Sequence, residues 1–162
     1  SVPKEPFLFS DTLEATVALD PQAVAAERAK AAAAALGADA VAADLPLGWA
    51  QPLGERGHDL SAGERQLVSF ARALARDPDL LILDEATAQV DGETEAKVQA
   101  ALAKLLAGRT AVVIAHRLST IREADTIVVL HKGQVREQGT HGGLIAKRGL
   151  YFTLVELQAR TG

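Results

Sequence analysis

Hydrophobic positions along the chain follow two different periods. In the first half they are helical. The stretch from Pro21 to Leu36 is built on alanine, with Glu27, Arg28 and Lys30 as its polar residues, and predicts a helix that stops at Gly37. The alanines predict a face that packs closely against a neighbour. Leu67, Phe70, Ala71 and Leu74 recur at helical spacing behind Ser61-Ala62-Gly63-Glu64, a Ser-x-x-Glu capping box. Asp77-Pro78 closes that helix, because the residue before a proline avoids the α region.

The second half changes character. Leu80-Leu81-Ile82-Leu83 and Thr110 to Ala115 are continuous apolar runs, the pattern of strands buried on both faces of a parallel sheet. Between them, Gly92 to Leu106 predicts a helix, with Asp91, Glu93 and Glu95 near its positive end and Gly108 beyond its close. A short helix over 118–124, a hairpin of 126–131 and 134–138 across Lys132-Gly133, and one closing amphipathic helix over 144–160 complete the pattern. Two segments read as irregular: the start, with Pro3, Pro6 and Phe7-Leu8-Phe9 leading into a short amphipathic element, and 46–59, which holds Gly48, Pro52, Gly54 and Gly57. The expected architecture is α/β, with a helical subdomain over 1–77 followed by parallel crossovers over 78–162. No internal repeat is present.

Composition narrows the classes. The chain has 162 residues, 48% hydrophobic and 23% charged, with a net charge of −4. No basic run or global positive field draws it to nucleic acid or anionic lipid. There are no cysteines, which excludes disulfides and thiolate metal sites and suits a cytosolic setting. The apolar runs fall far short of the roughly 20 residues needed to span a bilayer, so a membrane role has to come through a partner domain. The opening Ser-Val-Pro-Lys, with no initiator Met and no signal peptide, reads as a chain cut from something longer or trimmed of a tag.

Three places carry candidate chemistry. Asp84 and Glu85 end the first apolar run, where open α/β sheets bind ligands. Two carboxylates there fit either a solvated turn or a site for Mg²⁺ on a nucleotide phosphate, and the hexapeptide alone leaves both readings open. Ser61, Ala62 and Gly63 open a helix whose free N–H groups suit an anion. Glu64 would repel that anion unless it bends back to cap Ser61. His116 follows the second apolar run and lands at the same sheet edge if the strands are parallel neighbours. It is either structural or a donor to a phosphate. His58, His131 and His141 lack metal-ligand spacing and read as surface residues.

Taken in order, these segments resemble the nucleotide-binding domain of an ABC exporter, from the Q-loop to the C-terminus. Val2 to Phe9 resembles the Q-loop, Gly54-Glu55-Arg56-Gly57 the X-loop and Leu60 to Gln66 the signature motif. Leu80 to Glu85 resembles the Walker B strand, Val90-Asp91 the end of the D-loop, and His116 the switch histidine. Six motifs in sequence cover essentially the whole chain. The resemblance implies part of a P-loop NTPase (RecA-like) sheet with an ABC helical subdomain, and an ATPase that powers export. Asp84 would hold Mg²⁺ through water, Glu85 would orient or deprotonate the attacking water, and His116 would contact the γ-phosphate. Ser61, Ala62, Gly63 and Glu64 would meet the ATP of a second nucleotide-binding domain arranged head to tail. Asp91 would couple the two sites, and Phe7 would lie near the groove where a transmembrane domain docks. The implied cofactors are ATP and Mg²⁺, and the implied place is the cytoplasmic face of the cell (inner) membrane. Nucleic acid is not an expected partner.

The sequence departs from the family in specific ways. None of its thirteen glycines is followed by lysine, so the phosphate loop Gly-x-x-x-x-Gly-Lys-Ser/Thr is absent, and the chain alone is expected not to hydrolyse ATP. Lys4 replaces the Q-loop glutamine, and a protonated lysine cannot ligate a metal. Ala62 and Glu64 replace the signature's first glycine and its glutamine. Gln89 stands where the D-loop has a small residue, and Thr140 to Gly143 lacks the usual acidic pair. These changes fit one arm of a heterodimer with unequal sites, in which Lys4 slows turnover while Glu85 and His116 keep the site competent. A competing resemblance is the C-terminal head lobe of a chromosome-maintenance ATPase. The Pro6 to Phe9 segment, the X-loop and the closing helix with Tyr151 favour the exporter.

Overall fold

The computed structural model describes residues 11–19, 24–54, 57–84, 92–115 and 118–161. The chain forms two compact units, Ser1–Ile114 and Ala115–Gly162.

In the first unit the described helices are α1 (Leu13–Ala18), α2 (Ala26–Leu36), α3 (Asp39–Asp44), a 3₁₀ turn at Gly48–Ala50, α4 (Ala62–Ala75) and α5 (Gly92–Leu106). The alanine face of α2 is the packing surface its sequence predicts. Ala29, Ala32, Ala33 and Leu36, at helical spacing, are all buried, and α2 packs against α4, where Ala71 is fully buried. Small side chains let the two backbones approach. The helix ends as Gly37 predicts: Gly37 takes a left-handed φ of 74°, Ala38 N–H donates to Ala33 O at 2.8 Å, and Gly37 N–H donates to Ala34 O at 3.1 Å. This is a Schellman closure, and Ala38 and Ala33, its apolar pair, are both buried.

Strands β1 (Leu80–Asp84) and β2 (Thr110–Ile114) pair in parallel, Leu80 opposite Thr110 and Asp84 opposite Ile114, with α5 as the crossover. Arg109 donates to Asp77 at 2.9 Å just ahead of the two strand starts, and Asp77, with φ 46°, turns the chain out of α4. One expectation changes here. The apolar runs predict strands buried on both faces, but burial alternates. Leu81 and Leu83 are buried, and Ala111 and Val113 pack beside them on the core. Leu80, Ile82, Val112 and Ile114 are each about half exposed (52%, 46%, 55% and 54%) and, by register, share the other face. Side chains alternate along a strand, so helices packed on one side of a sheet bury only every second residue.

The second unit holds α6 (Leu118–Arg122), an antiparallel hairpin of β3 (Ile127–His131) and β4 (Gln134–Gly139), α7 (His141–Lys147) and α8 (Leu150–Thr161). Lys132 and Gly133 both have positive φ, 50° and 73°, as a two-residue hairpin turn of the primed type requires. The single closing helix predicted over 144–160 is instead two helices. Arg148 adopts a left-handed conformation (φ 52°, ψ 34°) and ends α7. The carboxylate of Glu137 on β4 then accepts the N–H of Leu150 at 3.0 Å and of Tyr151 at 2.8 Å, capping α8 from outside. A side chain on Gly149 would collide with that carboxylate. Ile127, Val129, Leu144 and Tyr151 make the unit's core.

Candidate functional site

The site begins with a helix start. Ser61 lies in extended conformation (φ −62°, ψ 164°) ahead of α4, so its side chain folds over the helix end. Glu64 N–H donates to Ser61 Oγ at 3.3 Å, and Ser61 N–H donates to Glu64 Oε2 at 2.6 Å. The box read from the sequence is therefore closed in both directions. Glu64, which would oppose an anion if it pointed outward, has its carboxylate turned back onto the cap. Among the described residues the N–H groups of Ala62 and Gly63 have no acceptor. The Ser61 hydroxyl accepts one bond and keeps its own proton to donate. Ser61 is exposed, Ala62 and Glu64 are half-buried and Gly63 is buried. Helix dipole, unpaired N–H groups and a hydroxyl converge on one end of α4, the arrangement that holds phosphate oxygens.

Behind the cap, Gly54 and residues 57–60 are held by backbone bonds and by the side chains of Asp59 and Arg65, to which the motif reading gave no role. Gly54 N–H donates to Asp59 Oδ2 at 2.8 Å, Gly57 N–H to Gly54 O at 2.8 Å, and Leu60 N–H to Gly57 O at 3.0 Å. Arg65 Nη1 donates to Leu60 O at 2.5 Å and reaches Gly57 O at 3.5 Å. One signal for Arg65 stood in the sequence: a cation in the first turn of a helix opposes the macrodipole, so it needs a local partner.

Asp84 ends β1, opposite Ile114, at the carboxyl edge of the parallel pair. It is half-buried, and its side chain makes no ion pair or hydrogen bond with the described residues. A half-buried carboxylate at the carboxyl edge of a parallel pair fits a hard cation. Among the described residues no group of three or more His, Asp or Glu gathers to hold a metal by itself, so such an ion would need ligands from elsewhere, as a phosphate-bound Mg²⁺ does. Lys4, Glu85, Asp91 and His116, and the X-loop residues Glu55 and Arg56, lie outside the described residues. Ser61, Ala62, Gly63 and Glu64 are thus brought together at one helix end, with Asp84 placed at the strand edge of the same unit. Among the described residues no helix is long and apolar enough to cross a membrane.

Comparison with known proteins gives this arrangement its context. The ABC transporter family model matches residues 2–88. The chain is 52% identical, over 155 residues and 96% of its length, to a probable multidrug resistance ABC transporter ATP-binding/permease protein, YheH, of Bacillus subtilis (strain 168). It is 48% identical, over 157 residues and 97% of its length, to an ATP-dependent lipid A-core flippase of Syntrophus aciditrophicus (strain SB). Among solved structures it matches a bacterial Atm1-family ABC exporter with ATP bound, at TM-score 0.86 and 39% identity over 98% of this chain. The chain spans about a quarter of each of these: 23% and 26% of the two relatives and 28% of the solved chain. Of the two resemblances read from the sequence, the exporter is the one these matches carry. With its family model covering more than half of its residues and exporter relatives aligned along nearly its whole length, the chain belongs to the ABC transporter family.

Proposed function

We propose that the chain is the signature-bearing portion of the ATP-hydrolysing domain of an ABC exporter, over which 1–77 forms the helical subdomain and 78–162 part of the RecA-like core. The observation that carries this reading is the closed Ser61–Glu64 box. It turns the only carboxylate of the signature inward and leaves the Ala62 and Gly63 N–H groups and the Ser61 hydroxyl proton to receive a phosphate.

On this reading Ser61, Ala62 and Gly63 bind the ATP held by a second nucleotide-binding domain, arranged head to tail, and Glu64 fixes Ser61. Asp84 would hold Mg²⁺, which would supply positive charge to the nucleotide phosphates. Glu85 orients the attacking water or takes its proton, His116 contacts the γ-phosphate, and Asp91 links the two sites across the dimer. Catalysis of phosphoryl transfer is then largely positioning and charge stabilisation. Lys4, in place of the Q-loop glutamine, slows turnover at its own site. Phe7 would lie near the docking groove of a transmembrane domain, and the domain would work on the cytoplasmic face of the membrane.

The test is hydrolysis by the whole transporter reconstituted in lipid. Glu85→Gln is expected to lower kcat by about a hundredfold or more, the scale of a lost general base. An unchanged rate would show that this site is not the working one.

A further inference from the structure

Leu60 and Ser61 share one planar peptide unit, and both of its polar ends are held by side chains of the helix that follows. The N–H, on Ser61, goes to Glu64 Oε2 at 2.6 Å. The C=O, on Leu60, goes to Arg65 Nη1 at 2.5 Å. A peptide plane cannot twist internally, so fixing its two ends fixes its orientation about the chain axis. The Ser61 Cα, and with it the hydroxyl, is attached to that plane.

We infer that Arg65 is a positioning residue for the Ser61 hydroxyl, acting through the Leu60–Ser61 peptide; the inference rests on the signature reading above. Three observations lead to it. A cation at the fourth helical position faces the positive end of the α4 dipole and is disfavoured there unless locally compensated. Its compensation is the pair of carbonyls of Leu60 and Gly57, outside the helix, so the guanidinium turns back over the loop rather than out to solvent. The same Gly57 carbonyl already accepts Leu60 N–H at 3.0 Å, and Asp59 holds Gly54, so Nη1 joins the cap to residues that are themselves bonded to one another. Glu64 alone would leave the peptide free to rock about its N–H···O bond. Arg65, bonded to the other end of the plane, removes that freedom. Both contacts come from one nitrogen, Nη1, which the rigid guanidinium plane holds in place; a lysine ammonium on its flexible stem has no such plane to fix its approach to the Leu60 carbonyl.

The experiment is a double-mutant cycle in the whole transporter, reading KM for ATP against kcat, with thermal melting to confirm that each variant folds. Ser61→Ala is expected to raise KM. Arg65→Ala is expected to raise KM about tenfold with kcat within about twofold, the scale of losing charge-assisted hydrogen bonds that orient a ligand group. Arg65→Lys is expected to recover less than half of that loss although it keeps the charge. On the Ser61→Ala background, Arg65→Ala is expected to add little, because its effect passes through the missing hydroxyl. A purely structural role would lower the melting point and give additive effects, and that result would overturn the inference. So would full rescue by Arg65→Lys, which would make the role one of charge. If Arg65→Ala does not fold, Arg65→Lys decides alone: an unchanged KM overturns the proposal. Gly63→Asp separates the two levels. If neither Ser61→Ala nor Gly63→Asp moves KM, the signature reading itself fails and the inference with it. If both do and Arg65→Ala does not, only the inference fails.

Discussion

Glu64 and Ser61 hold each other reciprocally: the serine N–H donates to the glutamate carboxylate at 2.6 Å while the glutamate N–H donates to the serine hydroxyl at 3.3 Å. This explains how a signature can carry a carboxylate where the family has a neutral glutamine. The charge is spent on a backbone donor and does not stand in the anion's path.

The first prediction separates the cap from the charge. Glu64→Gln keeps an acceptor oxygen for Ser61 N–H and removes a negative charge near the helix start. Stability should change by less than about 0.5 kcal/mol, and KM for ATP should stay within about twofold, because the charge is already turned away from the anion. Glu64→Ala should cost about 1 kcal/mol by chemical denaturation. Equal stability losses in the two variants would show that the carboxylate does more than cap.

Glu137 and Gly149 give a second prediction in the C-terminal unit. Glu137→Ala leaves the first N–H groups of α8 without their acceptor and should cost about 2 kcal/mol. Gly149→Ala should cost a similar amount by another route, since the new methyl displaces the same carboxylate. The double variant should then be little worse than either single, because both remove one interaction. Strictly additive losses would mean that the methyl is accommodated without moving Glu137.

How far the fold was legible in the sequence depended on the range of the forces involved. The capping box, the Gly37 stop and the Lys132-Gly133 turn are set by residues within a few positions of each other, and each stands where the pattern put it. The break between α7 and α8 was not legible, because the group that caps α8 comes from Glu137, thirteen residues before Leu150. Arg148-Gly149 is itself a helix-stop signal, and the apolar periodicity on either side masked it. The open face of β1 was missed for a related reason: an apolar run says that a strand can be buried on both faces, and the elements packed against it decide whether it is. At the candidate site, the signature and Asp84 were legible from motif and spacing. Arg65 was legible only as a cation in need of a local partner, not in what it holds, since its partners are backbone carbonyls and carbonyls carry no sequence signature.

Tyr151 gives a pH prediction. Its hydroxyl lies 2.7 Å from His141 Nδ1, and burial raises its pKa above the ordinary 10.0, against a smaller opposing effect of Arg122. The folded state then holds the phenolic proton more tightly than the unfolded chain does. That contribution to stability is complete below pH 10 and is lost as pH rises from there through the folded value. Tyr151→Phe removes the ionisable group, so its stability should fall less steeply than that of the parent chain above pH 10. Parallel alkaline slopes, measured by denaturation at each pH, would exclude Tyr151 as the titrating group.

The last prediction concerns the exposed face of the β1–β2 pair. Leu80, Ile82, Val112 and Ile114 are about half exposed and form one contiguous apolar surface, of the kind that soluble monomers avoid. β1 and β2 are also the whole of their sheet among the described residues, so strand edges accompany that surface and invite pairing with another chain. The isolated chain should therefore self-associate at micromolar concentration. A charge at the centre of the face, as in Ile82→Glu with Val112→Lys, should restore a monomer in sedimentation, because the inward residues Leu81, Leu83, Ala111 and Val113 that hold the pair to the core are untouched. In the whole transporter the same double change should have the opposite value. If a covering layer packs on this face, burying two charges there costs several kcal/mol and should abolish folding of the domain. A variant that is monomeric alone and fully active in the whole transporter would mean that this face stays open to solvent in the assembly, and its apolar character would then need another explanation.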